Sequence, residues 1–484
     1  MSDVETRRVR RLLALLAVLS TLLAVPHSSA ASGPVVLHRK GRFLADPQGR
    51  VVTLHGVNAV WKRAPYVPPA TAAGFTARDA DWIAARGWNV VRMGVLFAGV
   101  MPRRGVVDQR YLDKVAAEAK LLTDRKVWVL LDFHQDMYNE RFGGEGFPAW
   151  AIDDDGLPTP VNAGFPGNYF QPSTTRAFDN FYANAGGLAD LYAQAWAAVA
   201  ERFRNSSYVL GYDLLNEPWP GSQTASCAQP AGCPVFDQTV LQPVYAKALA
   251  AIRKVDRLHF VWLEPQVLFN DGSQTNLSLS GDRVGLSFHQ YCTSAGFTHS
   301  SGGKATPECG PQGDLVFGNA TSAAQAHGWA TLMTEFGASD DLGDISRVTA
   351  SADKALTGWV YWHYKEWADP TTESQDSGGQ GLFTNDADLR SAKRAKLALL
   401  EVPYVRAWAG TPGSTSFVGG VLRAEEAADP RTGLTEVWVP RQAYPHGYVT
   451  KVSGATVVSG PGAEILLLRA AKAGPVSLQV LPRS

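Results

Sequence analysis

The chain has 484 residues, 45% of them hydrophobic, and carries 45 basic against 45 acidic side chains. This length and apolar content exclude a disordered or fibrous protein and leave room for more than one domain. A charge balance near zero argues against a nucleic-acid partner.

At the start, Arg7, Arg8, Arg10 and Arg11 precede a 14-residue apolar run from Leu12 to Val25, and Ser28-Ser29-Ala30 follows. The pattern predicts a signal peptide over residues 1–30, cleaved near Ala30, and hence a secreted protein. The run is shorter than the roughly 20 residues of a membrane-spanning helix, and no cysteine follows it to take a lipid anchor. Removing four arginines together with Asp3 and Glu5 leaves 41 basic and 43 acidic side chains, which fits a soluble monomer.

Short β-branched runs then alternate with alanine-rich helical stretches. Strands are predicted at Val51–Val57, Asn89–Arg92, Val127–Asp132, Val209–Leu215, Phe260–Leu263, Val284–Phe288, Thr331–Thr334 and Gly358–Trp362, and helices at Asp108–Arg125, Gly187–Arg204, Leu241–Val255 and Ser322–Gly328. Eight strands with crossover helices predict an α/β fold, a (β/α)8 TIM barrel, over residues 31–403. The span exceeds the roughly 250 residues of a minimal barrel, so long insertions sit on its loops. The largest is the Gly-, Pro- and aromatic-rich stretch Asn139–Phe181, whose length implies a function. From residue 404 to 484 the texture changes to short alternating segments such as Thr435-Glu436-Val437-Trp438-Val439, the pattern of a small antiparallel β-domain that braces the barrel.

The chemistry lies at the strand ends, where a barrel places its catalytic groups. Strand two ends in Arg92, three in Asp132-Phe133-His134-Gln135-Asp136, four in Asn216-Glu217-Pro218, six in His289-Gln290-Tyr291, seven in Glu335 and eight in Trp362. Two carboxyl groups on different strands are the minimum for retaining glycoside hydrolysis, with one acid kept protonated and one carboxylate kept ionised. Arg92 and the Tyr291 hydroxyl are suited to hold Glu335 charged as nucleophile. Glu217, with Trp219 nearby, is placed for a raised pKa and for acid/base work. Asn216 is expected to hold the sugar 2-hydroxyl, and Trp362 and Trp219 to stack on sugar rings or to serve as core aromatics. Arg92 on its own also fits a structural ion pair, and His134 and His289 fit satisfied interior histidines; strand-end position favours the site for both. Glu264, in Trp262-Leu263-Glu264-Pro265, reads as a structural or substrate-contacting group without catalytic duty. The apolar residues Phe97, Val100, Met101, Val267, Leu268 and Phe269 follow strand ends and either line a groove for acyl chains or pack insertions onto the barrel.

The four cysteines, Cys227, Cys233, Cys292 and Cys309, imply two disulfides in an exported chain. Three connectivities are possible; local pairing, Cys227 with Cys233 and Cys292 with Cys309, closes the shortest loops. His289 lies near Cys292, but no Cys-x-x-Cys pair accompanies it, so no metal site and no cofactor are expected.

Taken together these residues resemble glycoside hydrolase family 5. Three stretches are similar to its endoglycoceramidase group: His55-Gly56-Val57-Asn58-Ala59-Val60-Trp61-Lys62-Arg63-Ala64-Pro65-Tyr66, Asp132-Phe133-His134-Gln135-Asp136-Met137-Tyr138 and Phe142-Gly143-Gly144-Glu145-Gly146-Phe147-Pro148-Ala149-Trp150. The resemblance implies cleavage between oligosaccharide and ceramide in glycosphingolipids, Glu217 as acid/base and Glu335 as nucleophile. It further implies sugar contacts from His134, Asp136, Asn216, Tyr291, Trp362 and Lys62, a β-sandwich after the barrel, and work at a membrane or micelle surface. Trp61 stands where the group commonly has tyrosine, and Gln290 sits inside the His-x-Tyr element, which leaves glucosyl- or galactosyl-linked head groups and simple glucosylceramides open. A family 5 β-glucanase or mannanase, and a noncatalytic glycan-binding barrel, are the alternatives.

Overall fold

The computed structural model describes residues 33–159, 162–292, 306–371 and 379–483, so the predicted signal peptide lies outside the described residues. Eight parallel strands close on themselves: β1 (His55–Ala59), β2 (Val90–Val95), β3 (Trp128–Phe133), β4 (Val209–Asp213), β5 (Phe260–Leu263), β6 (Val284–Gln290), β7 (Ala330–Phe336) and β8 (Gly358–Tyr361), with β8 pairing both β7 and β1. Nearly every strand residue is buried, as expected for a sheet covered by helices outside and filled by side chains within.

The outer helices are α1 (Ala77–Ala84), α2 (Gln109–Thr123), α3 (Leu188–Phe203), α4 (Gln242–Val255), α5 (Cys309–His327), α6 (Leu342–Ala355) and α7 (Arg394–Leu400). In α2 the buried Tyr111, Leu112, Val115, Ala119 and Leu122 recur at three- and four-residue spacing, while Asp108 caps the start by accepting from the Arg110 and Tyr111 amides. In α5, sequence patterning finds only the last third of the helix. The β5–β6 crossing has instead a single 3-10 turn, Val267–Asp271. Much of the insertion read as a long loop is ordered, and Pro172–Tyr182 within it is an α-helix that buries Ala177, Phe178, Phe181 and Tyr182.

The predicted strand Val51–Val57 is two strands in different sheets. Val51–Val52 pairs antiparallel with Ala407 and Trp408, and only His55–Ala59 enters the barrel. His38–Lys40 and Phe43–Ala45 join the same outer sheet, so residues 38–52, assigned by sequence to the barrel segment, belong structurally to the C-terminal layer. That sheet has seven strands, completed by Tyr404–Trp408, Thr435–Trp438, Ile465–Ala470 and Ala455–Val457. A four-stranded sheet of Gly410–Val418, Val421–Ala428, Gly474–Pro482 and Tyr448–Ser453 faces it, and Val405, Val437 and Leu466 of one pack with Leu422, Leu478 and Val480 of the other. The result is a β-sandwich. It meets the amino-terminal end of the barrel: Tyr404 stacks on His55 at 4.0 Å and donates to the Gly87 carbonyl. At Gly87 an added Cβ would lie 2.3 Å from the Trp438 ring, and φ is +71°, so glycine is required there twice over. The disulfides are Cys227–Cys233 and Cys292–Cys309, the local pairing. Among the described residues no helix is long and apolar enough to cross a membrane.

Candidate active site

The two-residue period of a strand carries the barrel filling directly into the site. Val90 and Arg92 share the inner face of β2, Trp128, Leu130 and Asp132 that of β3, and Phe260, Trp262 and the following Glu264 that of β5. Each inner face is apolar below and polar at its carboxyl end.

Arg92 is the centre of this polar layer and is fully buried. Its Nε donates to Asp213 Oδ2 at 2.9 Å, Nη1 to Glu335 Oε1 at 2.6 Å and Asn58 Oδ1 at 3.3 Å, and Nη2 to Asn216 Oδ1 at 2.9 Å, with Asp132 Oδ1 at 3.0 Å. A guanidinium is suited to such a fan of acceptors. Asn58, Asp132 and Asp213 are absent from the sequence-derived set; each has the same inward, strand-end position that identified Arg92, but a lone Asp or Asn there is too common to single out.

Glu335 ends β7. Besides Arg92 it accepts from the Tyr291 hydroxyl at 2.8 Å, the two partners expected. Its pKa nevertheless lies above the ordinary carboxylate value, because burial outweighs the opposing pull of His289 and Arg92. Glu217 follows β4 at φ +41°, a left-handed conformation that a residue with a side chain adopts only when its surroundings impose it. Its Oε1 lies 2.9 Å from Asn270 Nδ2 and 2.9 Å from His289 Nδ1. Burial, then the negative charge of Asp136, raises Glu217 to about 7, against opposing effects of His134, Arg92 and Lys62. Burial lowers His289 to about 3, so this imidazole is neutral near pH 7. The same nitrogen, His289 Nδ1, lies 3.5 Å from Glu335 Oε2, so the two carboxyl groups meet at one neutral ring. One carboxyl therefore has a cationic partner and the other only neutral ones, the arrangement that separates a nucleophile from a proton donor.

Lys62, on the loop after β1, organises the neighbouring pocket. Its Nζ lies 2.5 Å from Asp136 Oδ2, 2.9 Å from Thr371 Oγ1, 3.1 Å from Asp369 Oδ2 and 3.7 Å from Glu145 Oε1. Burial works against its charge, but Asp136, Asp369 and Glu145 raise it well above the usual lysine range. Burial, with Asp136 and Asp369 beside it, pushes Glu145 well above the ordinary carboxylate range against the pull of Lys62. His134 Nδ1 donates to Asp132 Oδ2, 2.8 Å away; burial works against its charge, but that aspartate and Asp136 overcome it and raise the imidazole to about 9. His134, Asp136 and Glu145 form a grouping that would suit a metal ion, yet the Lys62 ammonium already takes the cationic place beside Asp136. The backbones of Asp136 and Glu145 are bridged, and an added Cβ at Gly144 would lie 1.7 Å from the Asp136 carbonyl oxygen, which is why the second and third motifs fit together only with glycine there.

Trp362 follows β8, lies parallel to the His134 ring at 5.2 Å, carries Lys62 Nζ 4.8 Å above its face, and donates through Nε1 to Gln380 Oε1 at 2.6 Å. Trp219 is held between Tyr169 and Phe170, both at 4.8 Å, and Phe170 is 56% exposed. The structure thus brings Lys62, Arg92, His134, Asp136, Asn216, Glu217, His289, Tyr291, Glu335 and Trp362 to one end of the barrel, whereas Trp219 is a buried core aromatic among Tyr169, Phe170 and Tyr182. Of the two readings of the apolar strand-end residues, packing holds for Phe97, Val100, Met101 and Phe269, which are buried in the core, while Val267 and Leu268 remain partly exposed. Asn270, Glu145 and Asp369 are further members to which the sequence reading gives no role, and Glu264, read there as structural or substrate-contacting, also faces the site.

A closed eight-stranded parallel barrel with two carboxyl groups facing each other at its carboxyl-terminal end is the architecture of a retaining glycoside hydrolase. Residues 45–367 match the model of the cellulase family, glycosyl hydrolase family 5. The chain belongs to this family, and within it to the endoglycoceramidase group: it is 36% identical to endoglycoceramidase I of Rhodococcus hoagii over 92% of this chain and 88% of that protein. Among solved structures, endo-glycoceramidase II from Rhodococcus sp. in its lactosyl-enzyme intermediate aligns at 29% identity and a TM-score of 0.72, covering 91% of this chain and all of that one. Its ganglioside GM3 complex aligns at 29% identity and a TM-score of 0.74, covering 92% of this chain and all of that one.

Proposed function

We propose that the protein is a secreted retaining endoglycosidase that hydrolyses the β-glycosidic bond between oligosaccharide and ceramide in glycosphingolipids. The observation that carries the reading is the pairing of Glu217 and Glu335 across His289 Nδ1, with Arg92 on Glu335 alone at close range. A ganglioside-bound and a lactosyl-bound relative of the same architecture support the substrate class and the covalent route.

In the first step the Glu335 carboxylate attacks the anomeric carbon while the Glu217 carboxylic acid passes its proton to the departing ceramide oxygen, forming a glycosyl ester on Glu335 and free ceramide. In the second step the Glu217 carboxylate takes a proton from water, the resulting oxygen attacks the anomeric carbon, and Glu335 departs as carboxylate. Arg92 and Tyr291 orient Glu335, and Asn216, held by Arg92, is placed for the 2-hydroxyl. Lys62, His134, Asp136 and Trp362 form the sugar side, with His289 between the acids. On the other side, the exposed Phe170, packed edge-on against the buried Trp219, and the partly exposed Val267, whose amide donates to the Pro218 carbonyl at 3.1 Å, present apolar surface beside the acid for the lipid. Residues 1–30 act as the export signal.

The test is a panel of gangliosides, lactosylceramide, galactosylceramide and glucosylceramide, with both products analysed. Release of intact oligosaccharide together with ceramide is expected. Activity on cellulose or mannan with none on any glycolipid would overturn the reading.

A further inference from the structure

The acid read from the sequence as structural or substrate-contacting, Glu264, lies directly behind Glu217. The backbone amide of Glu217 donates to Glu264 Oε1 at 3.0 Å. The same oxygen faces Nε2 of His289 at 3.4 Å, while Nδ1 of that ring meets the Glu217 carboxyl at 2.9 Å. Glu264 therefore reaches Glu217 from two directions, through its main chain and through the imidazole against its side chain. Its own position is fixed: Tyr245 donates its hydroxyl to the Glu264 carbonyl at 2.7 Å, and the two Glu-Pro turns are tied by the Val267 amide on the Pro218 carbonyl at 3.1 Å. Arg92 stands farther off, with Nη2 3.5 Å from Oε2, and it has shorter bonds to Asp213, Glu335 and Asn216.

The conformation of Glu217 makes this contact more than packing. At φ +41° the residue would relax toward an ordinary backbone angle unless its amide were held. That relaxation would swing the carboxyl away from the ring it shares with Glu335. We propose that Glu264 is a positioning residue for the acid/base, holding the Glu217 turn by its amide and bracing His289 behind the Glu217 carboxyl. The proposal rests on the acid/base role given to Glu217 above. Glu264 touches neither the sugar nor the leaving oxygen; its action is through Glu217. The groups that face Glu217 and set its titration are Asp136 and His134 from the loop after β3, Arg92 on β2, Lys62 after β1, His289 on β6 and Glu264 after β5, with Glu335 and Tyr291 across the site.

Two conservative variants separate contact from charge. Glu264→Gln keeps an oxygen for the Glu217 amide and loses the charge; Glu264→Asp keeps the charge and draws the oxygen back by one methylene. Each is assayed on lactosylceramide, whose alkoxide leaving group needs the proton, and on dinitrophenyl lactoside, whose leaving group does not. Glu264→Asp is expected to lower kcat/KM on the glycolipid about tenfold or more, to change kcat/KM on the aryl substrate, which reports the first step alone, less than about threefold, and to move the basic limb of kcat/KM toward acid as Glu217 escapes its buried setting. Glu264→Gln is expected to stay within about threefold of the wild type on both substrates. The reverse order, equal losses on both substrates, or two variants indistinguishable from wild type would overturn the proposal. Glu217→Gln run in parallel should lose kcat/KM selectively on the glycolipid, and kcat on both substrates because the second step needs its base; if kcat/KM on the aryl lactoside falls as far as on the glycolipid, the acid/base assignment fails, and the proposal with it.

Discussion

Glu217 keeps its proton to about 7 because its carboxylate would be buried beside Asp136. Since the first chemical step consumes that proton, kcat/KM is expected to fall as pH rises through this value, and a profile flat into the alkaline range would contradict it. The same shift has a thermodynamic sign. The folded-state value exceeds the unfolded one of 4.5, so the native state binds the proton more tightly, and the stability this contributes is complete at acid pH and lost as pH rises to about 7. Glu217→Gln is therefore expected to raise Tm at about pH 8, by the equivalent of at most ~3 kcal/mol, and to leave it nearly unchanged at about pH 4. Glu335→Gln should reduce turnover by about 10⁴ or more while glycolipid binding, followed calorimetrically, persists; full residual hydrolysis would remove its assignment as nucleophile. Arg92, Glu335 and Tyr291 were legible in the sequence because an unusual residue type ends each apolar run. Glu264 was not, since the feature that matters is which oxygen meets the Glu217 amide, and a Glu-Pro dipeptide shows nothing of that.

At the scale of elements, strand ends were legible and crossings were not. The first helix, Ala77–Ala84, alternates charged residues with alanine over only two turns, too little for a helical stripe to stand out. The β5–β6 crossing, which supplies Asn270 to Glu217, has no helix to announce it. The run Val51–Val57 shows the limit of periodicity: it marks extended chain but not which sheet the chain joins. The loops after β1, β3 and β8 meet at Lys62, and the bridge between Asp136 and Glu145 fixes two of its acids. Gly144→Ala, which forces a Cβ into the Asp136 carbonyl, is expected to raise KM for the glycolipid about tenfold or more, as Asp136 leaves Lys62, with little change in the circular dichroism of the barrel. An unchanged KM would show that the pocket does not depend on this bridge.

For the whole molecule, the sandwich is built from both ends of the chain, and its contacts fall on the amino-terminal end of the barrel, away from the acids. Deleting residues 404–484 would strip one of the two strand partners of Val51–Val52 and uncover Gly87 and His55. The truncated chain is expected to be insoluble, or to melt well below the full-length protein; a soluble, fully active barrel would show the sandwich to be dispensable. Composition revealed a second, antiparallel texture at the carboxyl end. That residues 38–52 belong with it could not be read locally, because the pairing joins segments at opposite ends of the chain.

The shared sheet also imposes an order in time. During synthesis the strands at 38–52 emerge first, yet Tyr404–Trp408, which pairs with Val51–Val52, appears only after the entire barrel has been made. An early hydrogen-bonding edge thus waits through the synthesis of the whole barrel, and closing so long a loop is slow. The outer sheet is complete only once residues 404–470 have been made, and a chain interrupted before them would carry an open strand edge at Val51–Val52.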